Sequence, residues 1–201
     1  MRHEFGKYVA AELGPGATFV PCDVNQEPQV AAVVDLAVAK HGRLDIMYNN
    51  ADICGPMTFA VTYVDLTEFD RVMAVNVWSV VLGIKHAVRV MVPRRAGSIL
   101  YTTSITGLVS RLAPLTYSPS KAAVAAAVRL SAAELSNHGI RVNCISPVGL
   151  STLRDQSDQR NLPGHGRAAG GGDDRAVLGG VGREEVRGGR RGEGGDVLGF
   201  G

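Results

Sequence analysis

Apolar and polar positions alternate along the first three quarters of the chain in two periods. Phe5, Val9 and Leu13 recur at helical spacing, and Gly14-Pro15 stops that helix. Residues 17–22 form a short apolar run of the length of a buried strand. Asn25 is placed to cap a second helix, whose Val30, Val33, Val34 and Ala37 keep helical spacing up to Gly42. A strand over 44–48 then leads into Asn49-Asn50. A longer helix begins around Phe69, Val72, Met73 and Asn76 and runs to about Val92, where Pro93 ends it. Residues 97–103 read as a strand. Ser118-Pro119 read as the cap and first position of an alanine-rich helix to about Asn137, closed by Gly139. A last strand, 140–145, ends before Pro147.

Helix and strand in this alternation predict crossover units, hence a parallel sheet covered by helices on both faces. Ligands in such sheets bind beyond the carboxyl ends of the strands. Four features fall at those ends: Asp23-Val24, Asn49-Asn50-Ala51, Ser104 and Pro147. Their convergence is the first pointer to a site.

The pattern breaks after about Leu153. Residues 164–201 hold 15 glycines among 38 residues, with six arginines, six acidic residues and Phe200 as the sole aromatic. Such a segment loses much entropy on ordering and has little apolar surface to offset it. We therefore divide the chain into a folded domain, 1–153, and a Gly/Arg-rich low-complexity tail, 154–201, expected to be disordered. The Arg187-Gly-Gly-Arg-Arg191 piece suggests RNA, but the interspersed acids and missing aromatics argue against a nucleic-acid partner.

Composition adds limits. A net charge of +2 gives no broad electrostatic footprint for nucleic acid. Three cysteines, Cys22, Cys54 and Cys144, are odd in number and widely spaced, which fits neither a disulfide framework nor a zinc site. They read as small packing residues in a reducing, cytoplasmic compartment. His41, His86 and His138 have no metal-ligand spacing, so no metal is expected. No signal peptide is visible, and the apolar stretch 74–92 is interrupted by Asn76, Lys85, His86 and Arg89, which argues against a membrane span.

The candidate chemistry lies at the start of the alanine-rich helix. Tyr117 and Lys121 are four residues apart and share a helix face. A free tyrosine, with a pKa of about 10, is a poor base near neutrality. A nearby ammonium favours its phenolate, and a tyrosine so tuned can take a proton from an alcohol or give one to a ketone. Ser104, 13 residues upstream at a strand end, offers a hydroxyl to the same substrate oxygen. The plain alternative is a surface tyrosine beside a lysine.

The wider constellation resembles the short-chain dehydrogenase/reductase family. The matching pieces are Asn49-Asn50-Ala51, Asn76, Ser104, Tyr117-Ser-Pro-Ser-Lys121 and Arg141-Val-Asn-Cys-Ile-Ser-Pro147, in family order and spacing. The stretch 69–147 is most similar to plant members of the secoisolariciresinol, xanthoxin and momilactone A dehydrogenase kind, so plant secondary metabolism is implied. The resemblance covers residues 3–153. It implies a Rossmann-like, doubly wound α/β sheet and an NAD-dependent oxidoreductase, with NADP left open, interconverting a secondary alcohol and a ketone. Tyr117 is then the acid/base, and Lys121 lowers its pKa and binds the nicotinamide ribose. Ser104 steadies the reacting oxygen, and Asn76 holds a water that relays protons from Lys121. Asp23 and Val24 contact the adenine, Asn50 and Ala51 line the ribose, and Pro147, Val148 and Thr152 touch the carboxamide. Asn76 as a helix residue bonded to backbone, and Asp23 as a helix cap, stay open as alternatives. The family also implies a homodimer or tetramer, through helices 69–92 and 116–137.

Three departures stand against the family pattern. The sequence shows no Thr-Gly-x-x-x-Gly-x-Gly turn, the element that presents backbone N–H groups to a pyrophosphate. The first βαβ unit and the last strand are therefore expected to be missing, which leaves the strand at 44–48 with an unpaired edge. The tail replaces the substrate-covering segment, as an out-of-frame or mis-spliced reading would. Finally, Asp52 stands where the family motif Asn-Asn-Ala-Gly has glycine. A truncated, inactive relative that serves at most as a dimerisation partner is the alternative reading.

Overall fold

The computed structural model describes residues 3–109, 112–147 and the backbone of a short strand at 197–200. Its helices are α1 (His3–Leu13), α2 (Glu27–His41), α3 (Leu66–Met73), α4 (Ser79–Met91) and α5 (Ser118–Leu135). Its strands are β1 (Ile46–Asn49), β2 (Gly97–Thr102), β3 (Ile140–Ile145) and β4 (Val197–Phe200). The sheet order is β3-β2-β1-β4, and every neighbouring pair is parallel. This is the parallel α/β sheet that the alternation predicts and the Rossmann-like arrangement that the resemblance implies, and each predicted helix is found within a few residues.

Register aligns the strand ends. Asn49 of β1 sits beside Tyr101 of β2, and Thr102 sits beside Ile145 of β3. The loops carrying Asn50–Ile53, Thr103-Ser104 and Ser146-Pro147 therefore leave the sheet along one edge. Thr103 stitches two of them, its N–H donating to the Ile145 carbonyl at 2.8 Å and its hydroxyl bonding Ser146.

The core is the strip where α2, α4 and α5 cover the sheet. Val33 and Val34 of α2, Leu82, Ala87 and Met91 of α4, Val124 and Val128 of α5, and Met47 and Ile99 of the strands are buried together. Each such aliphatic side chain contributes roughly 1.5–3 kcal/mol on burial. Across the α2/α4 seam, Glu27 accepts from Lys85 at 2.6 Å and pairs with His86 at 3.2 Å, while Arg89 pairs with Asp35 at 2.5 Å. The helical run 66–94 is long and apolar enough to span a membrane by length and composition, but 44% of its most apolar window is buried in the protein.

Four local expectations change. Residues 17–22 carry no strand; Val20 and Cys22 pack on the core, but the segment meets no free strand edge. A strand exists only through its ladder, and the outer side of β1 is taken by β4. That pairing also means the expected bare edge is covered at β1. Gln26, not Asn25, holds the cap position of α2, without a side-chain bond, so α2 starts on Pro28's preset φ rather than on a cap. Likewise Ser118 is the first helical residue of α5, with Tyr117 at its cap position. Apart from β4, residues 148–201, and with them the expected disorder of the tail, lie outside the described residues.

Candidate active site

The site forms where the loop after β1, the turn after β2 and the first turn of α5 meet. Two local features set it. After β2 the chain enters a 3-10 turn, Ile105–Gly107, whose first N–H groups are partly met by Ser104: its Oγ accepts from Thr106 N at 3.3 Å. Gly107 then lies so close to α5 that an added Cβ would sit 2.7 Å from Ala122 N and Lys121 C. Only glycine permits that approach, and it brings Ser104 over the start of α5.

The second feature is a widened helical turn, Ala74–Trp78, between α3 and α4, which carries Asn76. Asn76 is 1% exposed, and its carboxamide makes three hydrogen bonds. Oδ1 accepts from Ile53 N at 2.9 Å, and Nδ2 donates to Ile53 O at 2.9 Å and to Ser120 Oγ at 3.0 Å. The carboxamide thus mimics a strand partner for Ile53 and fastens the loop after β1 to the helix bearing Lys121. Such bulged turns accommodate a side chain that bonds outside its own helix.

Tyr117 and Lys121 meet as their spacing predicts. The Lys121 ammonium lies 5.3 Å from the Tyr117 ring centroid, is 1% exposed, and donates to the Thr102 carbonyl at 3.0 Å. Burial lowers its pKa, and the neighbouring Asp52 carboxylate opposes that shift. The Tyr117 phenol is pushed well above the ordinary tyrosine value, first by burial and then by the charge and hydrogen bond of Asp52 and by Cys54. The nearby Ser104 hydroxyl acts in the opposite sense. So Ser104, Tyr117 and Lys121 converge. The phenol is not lowered as a lysine alone would lower it.

After burial, the strongest influence on the phenol is Asp52. Its Oδ2 accepts from Tyr117 Oη at 2.8 Å and from Lys121 Nζ at 3.0 Å. The sequence marks position 52 as a departure; only the structure shows that the carboxylate reaches both groups of the pair.

The remaining candidates line the same sheet edge. Asp23 is exposed in a turn where its Oδ1 accepts from Asn25 N at 3.0 Å and its N–H donates to Gln29 Oε1 at 2.8 Å. Its carboxylate thus braces its own turn. Val24 and Ala51 line a small cavity with Asn49, Ser79 and Gly83, and Asn49 Nδ2 is buried there without a hydrogen-bond partner. Asn50 Oδ1 accepts from the Thr102 hydroxyl at 2.5 Å, which in turn bonds Tyr48 Oη at 2.8 Å. That chain ties the Asn49-Asn50-Ala51 loop to the strand whose last carbonyl holds Lys121. Pro147 is half-buried and its carbonyl accepts from Ile105 N at 3.4 Å, which sets it beside the Ser104 turn. Val148 and Thr152 lie outside the described residues.

Known proteins with this arrangement are numerous. The chain is 48% identical over 153 residues to momilactone A synthase of Oryza sativa subsp. japonica, which covers 76% of the chain and 56% of that relative. It spans about half the length of the curated relatives it matches. Among solved structures, NAD+-bound xylitol dehydrogenase superposes with a TM-score of 0.73 at 29% identity, over 79% of this chain and 62% of that one. ElxO with NADP bound gives 0.71 at 27% identity, over 81% and 68%. A family model described as enoyl-(acyl carrier protein) reductase matches residues 2–185. With that match, the fold and the converging Ser104, Tyr117 and Lys121, the chain belongs to the short-chain dehydrogenase/reductase family.

Proposed function

We propose that the chain is built for NAD(P)-dependent interconversion of a secondary alcohol and a ketone, with Tyr117 as the acid/base. The observation that carries this is the convergence of a phenol and a buried ammonium from the first turn of α5 with a hydroxyl from the turn after β2, at the carboxyl edge of a parallel sheet. Structural neighbours bound to NAD+ or NADP support the cofactor class.

The residues around Lys121 fit the nicotinamide ribose of such a cofactor, although the sequence shows no glycine-rich turn for its pyrophosphate. The Lys121 ammonium has three N–H groups, of which Thr102 O and Asp52 take two, so one remains for a ribose hydroxyl. Asp23 and Val24 would contact the adenine, Asn50 and Ala51 would line the ribose, and Pro147 would touch the nicotinamide carboxamide. Val148 and Thr152 complete the set in this reading. When bound, the nicotinamide supplies or accepts the hydride. Tyr117 moves the proton at the substrate oxygen, Ser104 steadies that oxygen, and Lys121 holds the ribose and the charge next to the phenol. Asn76 acts here by fixing Ile53 and Ser120, and in the finer reading by holding a water on the path from Lys121 to solvent. The same reading carries a family-type pairing of two copies through α3–α4 and α5, where Trp78 and Leu130 are exposed; sedimentation of the purified chain checks it.

Titration with NADH, followed by fluorescence, tests the proposal. Saturable binding is expected, weakened in Lys121→Met and retained in Tyr117→Phe. Turnover of a secondary alcohol is expected to fall by about 10²–10⁴ in Tyr117→Phe, the usual range for losing a general acid/base. One observation favours a second reading, that of a catalytically inactive relative: a carboxylate already occupies the pair. No saturable NADH binding in the chain or in Asp52→Gly would leave that reading standing.

A further inference from the structure

Position 52 changes the character of the site. A glycine there holds nothing. An aspartate places one carboxylate oxygen between the Tyr117 hydroxyl and the Lys121 ammonium, at 2.8 and 3.0 Å. Both bonds are charge-assisted and so roughly twice as strong as neutral ones. Lys121 is buried, while the Asp52 side chain keeps 27% of its surface exposed. The carboxylate therefore closes the pair from the solvent side, where a substrate oxygen has to arrive.

We propose that Asp52 is an internal clamp on the acid/base pair, occupying the hydrogen-bonding positions of a substrate oxygen and holding the site in a closed resting state. This rests on the reading of Tyr117 and Lys121 as that pair. Two consequences follow from the geometry. A substrate oxygen gains access to the phenol only by displacing the Asp52 carboxylate. And the ion pair cancels much of the field by which an ammonium favours a phenolate. The groups facing the phenol are Asp52 and Cys54 from the loop after β1, Ser104 from the turn after β2, and Lys121 from α5. The first two oppose ionisation; Ser104 and an unpaired Lys121 favour it. Burial, the largest influence on the phenol, also opposes ionisation and stays; removing the Asp52 charge lowers the Tyr117 pKa from that raised value.

The test needs no cofactor. Phenolate absorbance in the near ultraviolet is followed against pH for the chain and for Tyr117→Phe, and their difference isolates Tyr117 from the other four tyrosines. The same difference is taken in the Asp52→Asn and Asp52→Gly backgrounds. In both, the Tyr117 step is expected at least about one pH unit lower than in the unaltered chain. Asp52→Asn keeps the size of the side chain, and circular dichroism confirms that each variant folds. An unmoved Tyr117 step in both overturns the clamp. NADH titration separates this outcome from the fate of the dehydrogenase reading. Binding at least about tenfold tighter in Asp52→Gly supports the clamp and that reading together. A shifted phenolate with no NADH binding in any variant keeps the clamp and removes the cofactor. NADH binding with an unmoved phenolate overturns the clamp alone.

Discussion

Replacing Asn76 with alanine is expected to destabilise the chain by about 2–4 kcal/mol, and the figure can be worked from its carboxamide. Three hydrogen bonds disappear, two to Ile53 and one to Ser120, all between 2.9 and 3.0 Å. Each contributes about 1 kcal/mol net, and more where the partner is left buried without another. Ile53 is half-buried, so water repairs part of the loss there; Ser120 is fully buried but retains its bond to the Tyr117 carbonyl at 2.7 Å. The void left by the carboxamide adds a further cost of order 1 kcal/mol. Urea unfolding measures the change as a shift in midpoint at constant slope. A loss below about 1 kcal/mol would refute the account, because a helix asparagine bonded only within its own turn costs that little. A double-mutant cycle with Ser120→Ala sharpens the result, since residues in one network couple by about 0.5–3 kcal/mol.

Two further outcomes follow from single atoms. Tyr101 is fully buried with its hydroxyl unpartnered, so Tyr101→Phe is expected to leave stability unchanged or raise it by up to about 2 kcal/mol in urea unfolding. Burial raises the Tyr101 pKa above its unfolded value, so its contribution is present below pH about 10 and lost as pH climbs further. The alkaline fall in stability should flatten in Tyr101→Phe by up to about 1.4 kcal/mol per pH unit, and an unchanged slope would count against the burial argument. Gly107→Ala should cost about 1–3 kcal/mol, because its methyl meets backbone of α5 that cannot yield. It should also move Ser104 off Tyr117, seen as a higher phenolate titration in the difference spectrum.

The fold was legible wherever apolar spacing decides it. α2, the 66–94 helical run and α5 bury apolar residues that their spacing marks, and β1–β3 form where the apolar runs predict, whereas α1 forms but leaves Phe5, Val9 and Leu13 exposed. Residues 17–22 misled because an apolar run records burial, and burial was met by packing Val20 and Cys22 on the core without a ladder. Strand pairing depends on a neighbour distant in sequence, and β4 comes from the far end of a glycine-rich segment with no apolar period of its own. Asn25 misled in a related way. Its residue type suits a cap, but the turn before α2 is organised by Asp23 and Gln29, and the helix begins one residue later.

The site divides along the same line. Tyr117, Lys121 and Ser104 were readable because their chemistry needs fixed spacing along one helix and one strand end. Asn76 was readable as a residue and not as a bond, since its partners lie 23 and 44 positions away. Asp52 shows the limit most clearly. In the sequence it is a lost glycine, and the physics of glycine predicts crowding of a cofactor against the new side chain. In the structure the side chain makes contacts of its own: it reaches 65 residues along the chain to the Tyr117 hydroxyl and meets Lys121 with the same oxygen. A departure from a motif is thus a statement about an interaction gained as much as about a conformation lost. Here the gained interaction falls on the two groups that the proposed function takes as the acid/base and its ammonium partner.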